Sequence, residues 1–199
     1  MKKLATCTII FFFMNSFFAA CCLIPTTCGC GENKNSSYRA SDFSLSTFLL
    51  DANGQPDFTK PLPAGTAINH TEFTFVFTPV IINISAQQKL SAFPGSAYAC
   101  DISDNPMQEF NSIKITSNQV YATASGVFAA GEDLISLFTL SGLSIPDFIA
   151  GLNRSVTRTS FTMVINQAPI ASSVHQFTFM FHLSDGGTFT IVSDSIELN

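Results

Sequence analysis

Few side chains in this 199-residue sequence are equipped for chemistry, and their spacing argues against most reactions. A hydrolase needs a nucleophile, a base and a group that orients the base. The histidines are His70, His175 and His182. None lies in an HExxH zinc-protease segment, and no GxSxG nucleophile elbow is present. His175 and His182 have opposite parity along one strand-like run, which puts them on opposite faces. His175 shares its face with Phe177, Phe179 and Phe181 and reads as a core or rim histidine. The carboxylate pairs are Asp101 with Asp104, flanking Cys100, and Glu132 with Asp133. Both pairs lie in turn-like stretches, where solvated acid is the default. Residues 51–57 space oxygen side chains as a calcium loop does. The position at which an EF-hand places its bidentate Glu is Leu62, so the segment reads as an Asx-rich turn. No catalytic residue, metal or cofactor is expected. A sugar site on a β-sandwich stacks the ring on an exposed Trp or Tyr. The chain has no Trp, and Tyr98 and Tyr121 are the weak candidates for a glycan.

The cysteines carry more information. Cys21 follows a basic start at Lys2 and Lys3, a largely apolar run from Leu4, and the small pair Ala19-Ala20. Those are the parts of an export signal, with small residues at the cut. The run Phe18-Ala19-Ala20-Cys21 resembles a bacterial lipobox, in which the thiol takes a diacylglycerol and becomes the new N-terminus. Phe18 stands where Leu is usual and is still large and apolar. The alternatives are a plain secretory signal cut after Ala20 or an uncut anchor. An anchor needs about 20 apolar residues, and Asn15 and Ser16 interrupt this run. Acylation with two or more chains would make membrane attachment stable.

With Cys7 lost in the leader and Cys21 lipidated, Cys22, Cys28, Cys30 and Cys100 remain, an even number suited to an oxidising compartment. A Cys28–Cys30 bridge would be strained. Cys100 is therefore expected to join one of them and Cys22 the other. A bridge to Cys100 would close a loop of about 70 residues, worth roughly 4 kcal/mol in the chain-entropy model. Zinc at Cys22, Cys28 and Cys30 is the rival, and its spacing is wrong for the usual ligand pairs.

These groups need a scaffold. Beyond residue 20 the chain is one domain of ordinary size plus a tether over residues 21–41, rich in Gly, Asn and Ser. Loss of Lys2 and Lys3 leaves seven basic residues against 14 acidic ones, a charge near −7 that disfavours nucleic acid. Period-two patterns predict strands at residues 71–78, 111–117, 160–166 and 174–183. In the first, Phe73, Phe75 and Phe77 share a face opposite Glu72, Thr74, Val76 and Thr78. Pro79 should then bulge, bend or end it. Ser184-Asp185-Gly186-Gly187 predicts a hairpin whose return strand runs from Thr188 to Leu198. A Ser start, Pro146, Asp147 and Asn153 predict one helix over residues 144–153. Residues 132–140 predict a short turn or a strand. Together these predict an all-β domain over residues 42–199, a single Ig-like β-sandwich with one short helix.

Several stretches have a further likeness: Cys21-Cys22 followed by Asp42-Phe43, Tyr98-Ala99-Cys100, Ile113-Lys114-Ile115-Thr116-Ser117, Ala130-Gly131-Glu132-Asp133-Leu134, and His175-Gln176-Phe177 running into Leu183-Ser184-Asp185-Gly186-Gly187-Thr188-Phe189. Together they resemble small Bacteroidetes lipoproteins with an uncharacterised β-rich domain. The resemblance implies a lipid-anchored envelope protein, in the outer membrane, and supplies no activity. Surface display in that phylum tends to follow acidic residues after the lipidated cysteine, and here Cys22-Leu23-Ile24-Pro25 follows. Asp194-Ser195-Ile196 looks like the phylum's O-glycosylation signal, although an ordinary strand-end triplet is the preferred reading. The expected role is structural or interaction-based, with a protein or a glycan as partner; the alternative is a module that binds a glycan or another nutrient and delivers it to an envelope partner.

Overall fold

The Phe-rich strands meet across two layers. The computed structural model describes residues 36–84, 104–151 and 154–199. The expected export signal, the expected tether as far as residue 35, all six cysteines and Tyr98 lie outside these residues; the rest of that expected tether, residues 36–41, is instead the start of a strand, with Tyr38 and Ala40 buried. Residues 38–83 and 106–199 form one compact unit. The other unit, residues 1–37 and 84–105, contributes to the described residues only the ends of three strands.

The strands are β1 (Ser36–Leu50), β2 (Pro56–Pro61), β3 (Ala67–Ile68), β4 (Phe73–Ile84), β5 (Asp104–Pro106), β6 (Phe110–Ser117), β7 (Tyr121–Thr123), β8 (Gly126–Phe128), β9 (Phe138–Leu140), β10 (Leu143–Ser144), β11 (Phe161–Ile165), β12 (Ser173–His175), β13 (Phe177–Leu183), β14 (Thr188–Val192) and β15 (Ile196–Leu198). The large sheet runs β10-β9-β11-β4-β1-β2, and a second sheet runs β14-β13-β6. In the large sheet β5 also pairs with β1, and a smaller sheet, β12-β15-β3, and the β7-β8 hairpin complete the set. The expected all-β sandwich is present, with one short helix, α1 (Ile145–Ala150). The Ser144 hydroxyl caps α1 by accepting from the Asp147 N–H, as the sequence predicts. Residues 132–140 supply both anticipated forms, a 3₁₀ turn (Ile135–Leu137) followed by β9.

Phe73, Phe75 and Phe77 point from β4 toward Phe177, Phe179 and Phe181 of β13, and all six are buried. Phe179 lies 5.1 Å from Phe75 and 4.9 Å from Phe77, both edge-on, and Phe181 is 5.2 Å from Phe77. Edge-to-face packing sets the positive rim of one ring against the negative face of another. Phe43 of β1 extends the cluster to Phe181 and Phe189.

The opposite face of β4 departs from expectation. Thr74 and Val76 are buried as well, whereas Glu72 and Thr78 are exposed. Thr74 satisfies its hydroxyl on the Met163 carbonyl at 3.0 Å. Nor does Pro79 interrupt β4, which runs on to Ile84. The reason is register: β11 begins with Phe161 opposite Phe77. Pro79 lies past that pairing, so its missing N–H costs no ladder bond on the β11 side.

The C-terminal hairpin also differs from two unbroken strands. Its turn forms as expected, with Gly186 at φ 85°. Each arm then breaks at the same level. Residues 176 and 177 separate His175 from Thr178, whereas 193, 194 and 195 separate Val192 from Ile196. The extra residue is a bulge, and it reverses inward parity on the return arm. Phe189 and Ile191 face the core before it, and Ile196 and Leu198 after it.

Candidate functional site

The histidine most available for chemistry on paper is enclosed in the core. His175 is buried, with Nδ1 2.9 Å from the Ser117 hydroxyl and Nε2 2.6 Å from the Ser173 hydroxyl. Its ring stacks on Phe177 and lies 4.9 Å from the Tyr121 ring. Burial lowers its pKa, because desolvation disfavours the charged ring. The two hydroxyls satisfy both ring nitrogens, so the cluster bonds β12 to β6 across the sheets. His182 lies on β13, a separate strand from the β12 of His175, and its Nδ1 is 3.1 Å from the Thr188 hydroxyl. His70 has a buried Nδ1 with no hydrogen-bond partner among the described residues.

The Glu132–Asp133 pair and Asp51 are spent on backbone. Asp133 accepts from the Ile115 and Ile135 N–H groups, and Glu132 from that of Ala129. Asp51 accepts from the Asn53 and Gln55 N–H groups, an Asx turn that lowers its pKa. Among the described residues no group of His, Cys, Asp and Glu could hold a metal ion, and no helix is long and apolar enough to cross a membrane.

Tyr121 requires a correction as a sugar platform. It is buried, its hydroxyl donates to the Gln167 carbonyl at 2.8 Å, and burial pushes its pKa up. With His175 and Phe177 against its ring, no face is open for a pyranose. Tyr98, Cys21, Cys22, Cys28, Cys30 and Cys100 fall outside the described residues, as does Asp101.

Backbone groups, not side chains, form the feature that is left. Antiparallel strands bond through alternate residues. In the β13·β14 pair the Leu183 N–H donates to the Gly187 carbonyl and the Ser193 N–H to that of Phe177, each at 2.8 Å. The register therefore directs the N–H and C=O groups of Phe189 and Ile191 toward β13. Those of Thr188, Thr190 and Val192 point away from the sheet. None of these six groups has a backbone partner among the described residues.

The opposite edge of the same sheet is treated differently. On β6, the Leu134 N–H donates to the Ile115 carbonyl and the Gly131 N–H to that of Ser117. The Ile115 N–H donates to the Asp133 carboxylate. The loop before the 3₁₀ turn thus caps the β6 edge at Ile115 and Ser117. The remaining long outer strand, β2, is protected in another way. It begins and ends with Pro, and Asp57 pairs with Lys60 at 2.8 Å. By contrast, β14 has the sequence TFTIV, with neither charge nor Pro.

Side-chain hydrogen bonds tie down the turn that leads into β14. The Asp185 carboxylate accepts from the Gly187 N–H at 3.0 Å and from the Gln108 amide at 2.6 Å, which together lower its pKa. Buried Gln108 in turn accepts from the Ala40 N–H at 2.7 Å, tying the hairpin to β1. Sequence reasoning did not single out Thr188, Thr190 or Val192. The available signal was a neutral, Pro-free return strand.

No protein-family model matches the chain, and no curated protein does. Solved structures that it resembles include the wild-type C-terminal domain of the Streptococcus agalactiae AgI/II polypeptide BspA, at 11% identity and a TM-score of 0.30, over 78% of this chain and 49% of that one. Another is the C-terminal domain of the Streptococcus pyogenes antigen I/II-family protein AspA, at 12% identity and a TM-score of 0.26, over 78% and 46%. The chain spans about half the length of these structures. Such values transfer no property from them.

Proposed function

We propose that this protein is a non-catalytic interaction module of the bacterial cell envelope, held on the outer membrane by lipid at Cys21, that engages its partner by adding a strand to β14. The observation that carries the interaction reading is the contrast within one sheet, where a loop caps β6 at Ile115 and Ser117 and β14 offers an uncharged row of donors and acceptors with no backbone partner among the described residues. Strand addition uses such a row, with main-chain hydrogen bonds supplying affinity. The anchoring reading rests on the leader and Ala19-Ala20-Cys21. Export to an oxidising compartment would also suit the disulfides expected from the cysteine count, Cys100 with Cys28 or Cys30 and Cys22 with the other.

Two experiments test the halves separately. A mass spectrum of the native protein should show Cys21 as a diacylglycerol-modified N-terminus, and an unmodified or Met1 terminus would refute the anchor. An extended peptide carrying the TFTIV sequence, titrated against isotope-labelled protein, should shift the amide resonances of Thr188, Thr190 and Val192. Shifts confined to other strands would refute edge addition.

A further inference from the structure

We infer that the strand β14 receives is β14 of a second copy, antiparallel, with Thr190 on the twofold axis. The inference rests on the open-edge reading and names its partner. In that register Thr190 faces its own counterpart and Thr188 faces Val192 of the second copy. All three are bonding pairs, because the outward groups of these residues are the ones left free by the β13 ladder. Two hydrogen bonds form per pair, so all six free groups of each copy are used.

Side chains agree with this register. Phe189 would face Ile191 of the second copy, twice over, on the core side of the joined sheet. Both are only partly buried in the single chain, so each would cover the other's remaining exposed surface. On the outer side, Thr188 and exposed Val192 would pair. Charge is the second argument. The chain is net negative at −5, and like copies would repel wherever carboxylates met. The edge carries none. Within β14 the register apposes only Thr, Phe, Ile and Val, so no two acids face each other across the joined strands. A partner strand of marked charge would find no counter-charge on β14.

One short strand pair is smaller than a standard stable interface. The dimer is accordingly weak in free solution, and confinement to a membrane plane raises its effective concentration.

The test uses the full mature chain in nonionic detergent, density-matched in the ultracentrifuge over a wide concentration range. The wild type should show reversible dimerisation. Thr190→Pro removes an outward N–H and no bond to β13, so it should keep the wild-type melting curve and weaken association at least tenfold. Should that variant misfold, Thr190→Lys and Thr190→Glu give an independent reading. Each alone sets like charges across the axis and should be monomeric, while an equimolar mixture should restore the dimer. A dimer that persists in both charged variants overturns the inference. A wild type that stays monomeric with rapidly exchanging Thr188, Thr190 and Val192 amides refutes the second copy and leaves the open edge intact. A monomer in which those amides are protected refutes both.

Discussion

Replacing Phe179 with Ala should remove the keystone of the two-layer core. The side chain is fully buried at the centre of β13. Its ring meets Phe75 at 5.1 Å, Phe77 at 4.9 Å and Phe138 at 6.0 Å, each edge-on or nearly so. Rings on both strands would lose a partner, and the β-sheet backbone cannot collapse to fill the void. A buried Phe→Ala change costs about 3–5 kcal/mol. At about 2–4 °C per kcal/mol for a domain of this size, the melting temperature should fall by roughly 6–20 °C. Phe189 provides the control. It is partly buried, and its ring contact is with Phe43 at 5.1 Å. Phe189→Ala should therefore cost about 1–2 kcal/mol, in keeping with incomplete burial. The Phe77→Ala, Phe179→Ala double variant should show a coupling of about 0.5–1.5 kcal/mol beyond additivity, since the pair is in direct contact. With no Trp in the chain, unfolding is best followed by circular dichroism, in the far ultraviolet for the sheets. A Phe179→Ala loss no greater than that of Phe189→Ala, or additive behaviour with Phe77→Ala, would refute the interleaved core.

Three further outcomes follow from the same geometry. Deleting Asp194 removes the bulge and turns Ile196 and Leu198 outward, so the protein should lose cooperative thermal unfolding, whereas Asp194→Ala should change stability by less than about 1 kcal/mol. Gly186→Ala forces a side chain into a positive-φ turn and should destabilise by about 1 kcal/mol or more in urea titrations, despite open space around the site. His175 has a folded pKa below its ordinary value of 6.5, so the unfolded chain binds the extra proton. Its contribution is complete above about pH 6.5 and falls as pH drops toward the folded value. His175→Gln should flatten that part of the stability–pH curve, and an unchanged slope would count against a neutral buried ring.

Alternation of Phe with polar residues made β4 and β13 legible, because a period of two has a single interpretation when one face is apolar. The capped helix at Ser144 and the Gly186 turn were legible for equally local reasons. Pro79 misled because its effect depends on where β11 ends, which no local pattern records. The break at residues 193–195 was hidden because a one-residue insertion among Ser and Asp leaves both flanking runs looking regular. Tyr121 was assigned by residue type, and only the packing of His175 and Phe177 around it shows that its ring is enclosed. The β14 edge is a property of topology. The same TFTIV run would be unremarkable as a central strand, and its free groups become evident only once β13 is known to be its one neighbour among the described residues.

Residue-resolved amide exchange along β14 in the monomeric protein tests the open edge most directly. Phe189 and Ile191, bonded into the sheet, should exchange slowly, while Thr188, Thr190 and Val192 should exchange at rates close to those of an unstructured chain. Uniform protection across all five residues would mean that the edge is already paired, and strand addition at β14 would be ruled out.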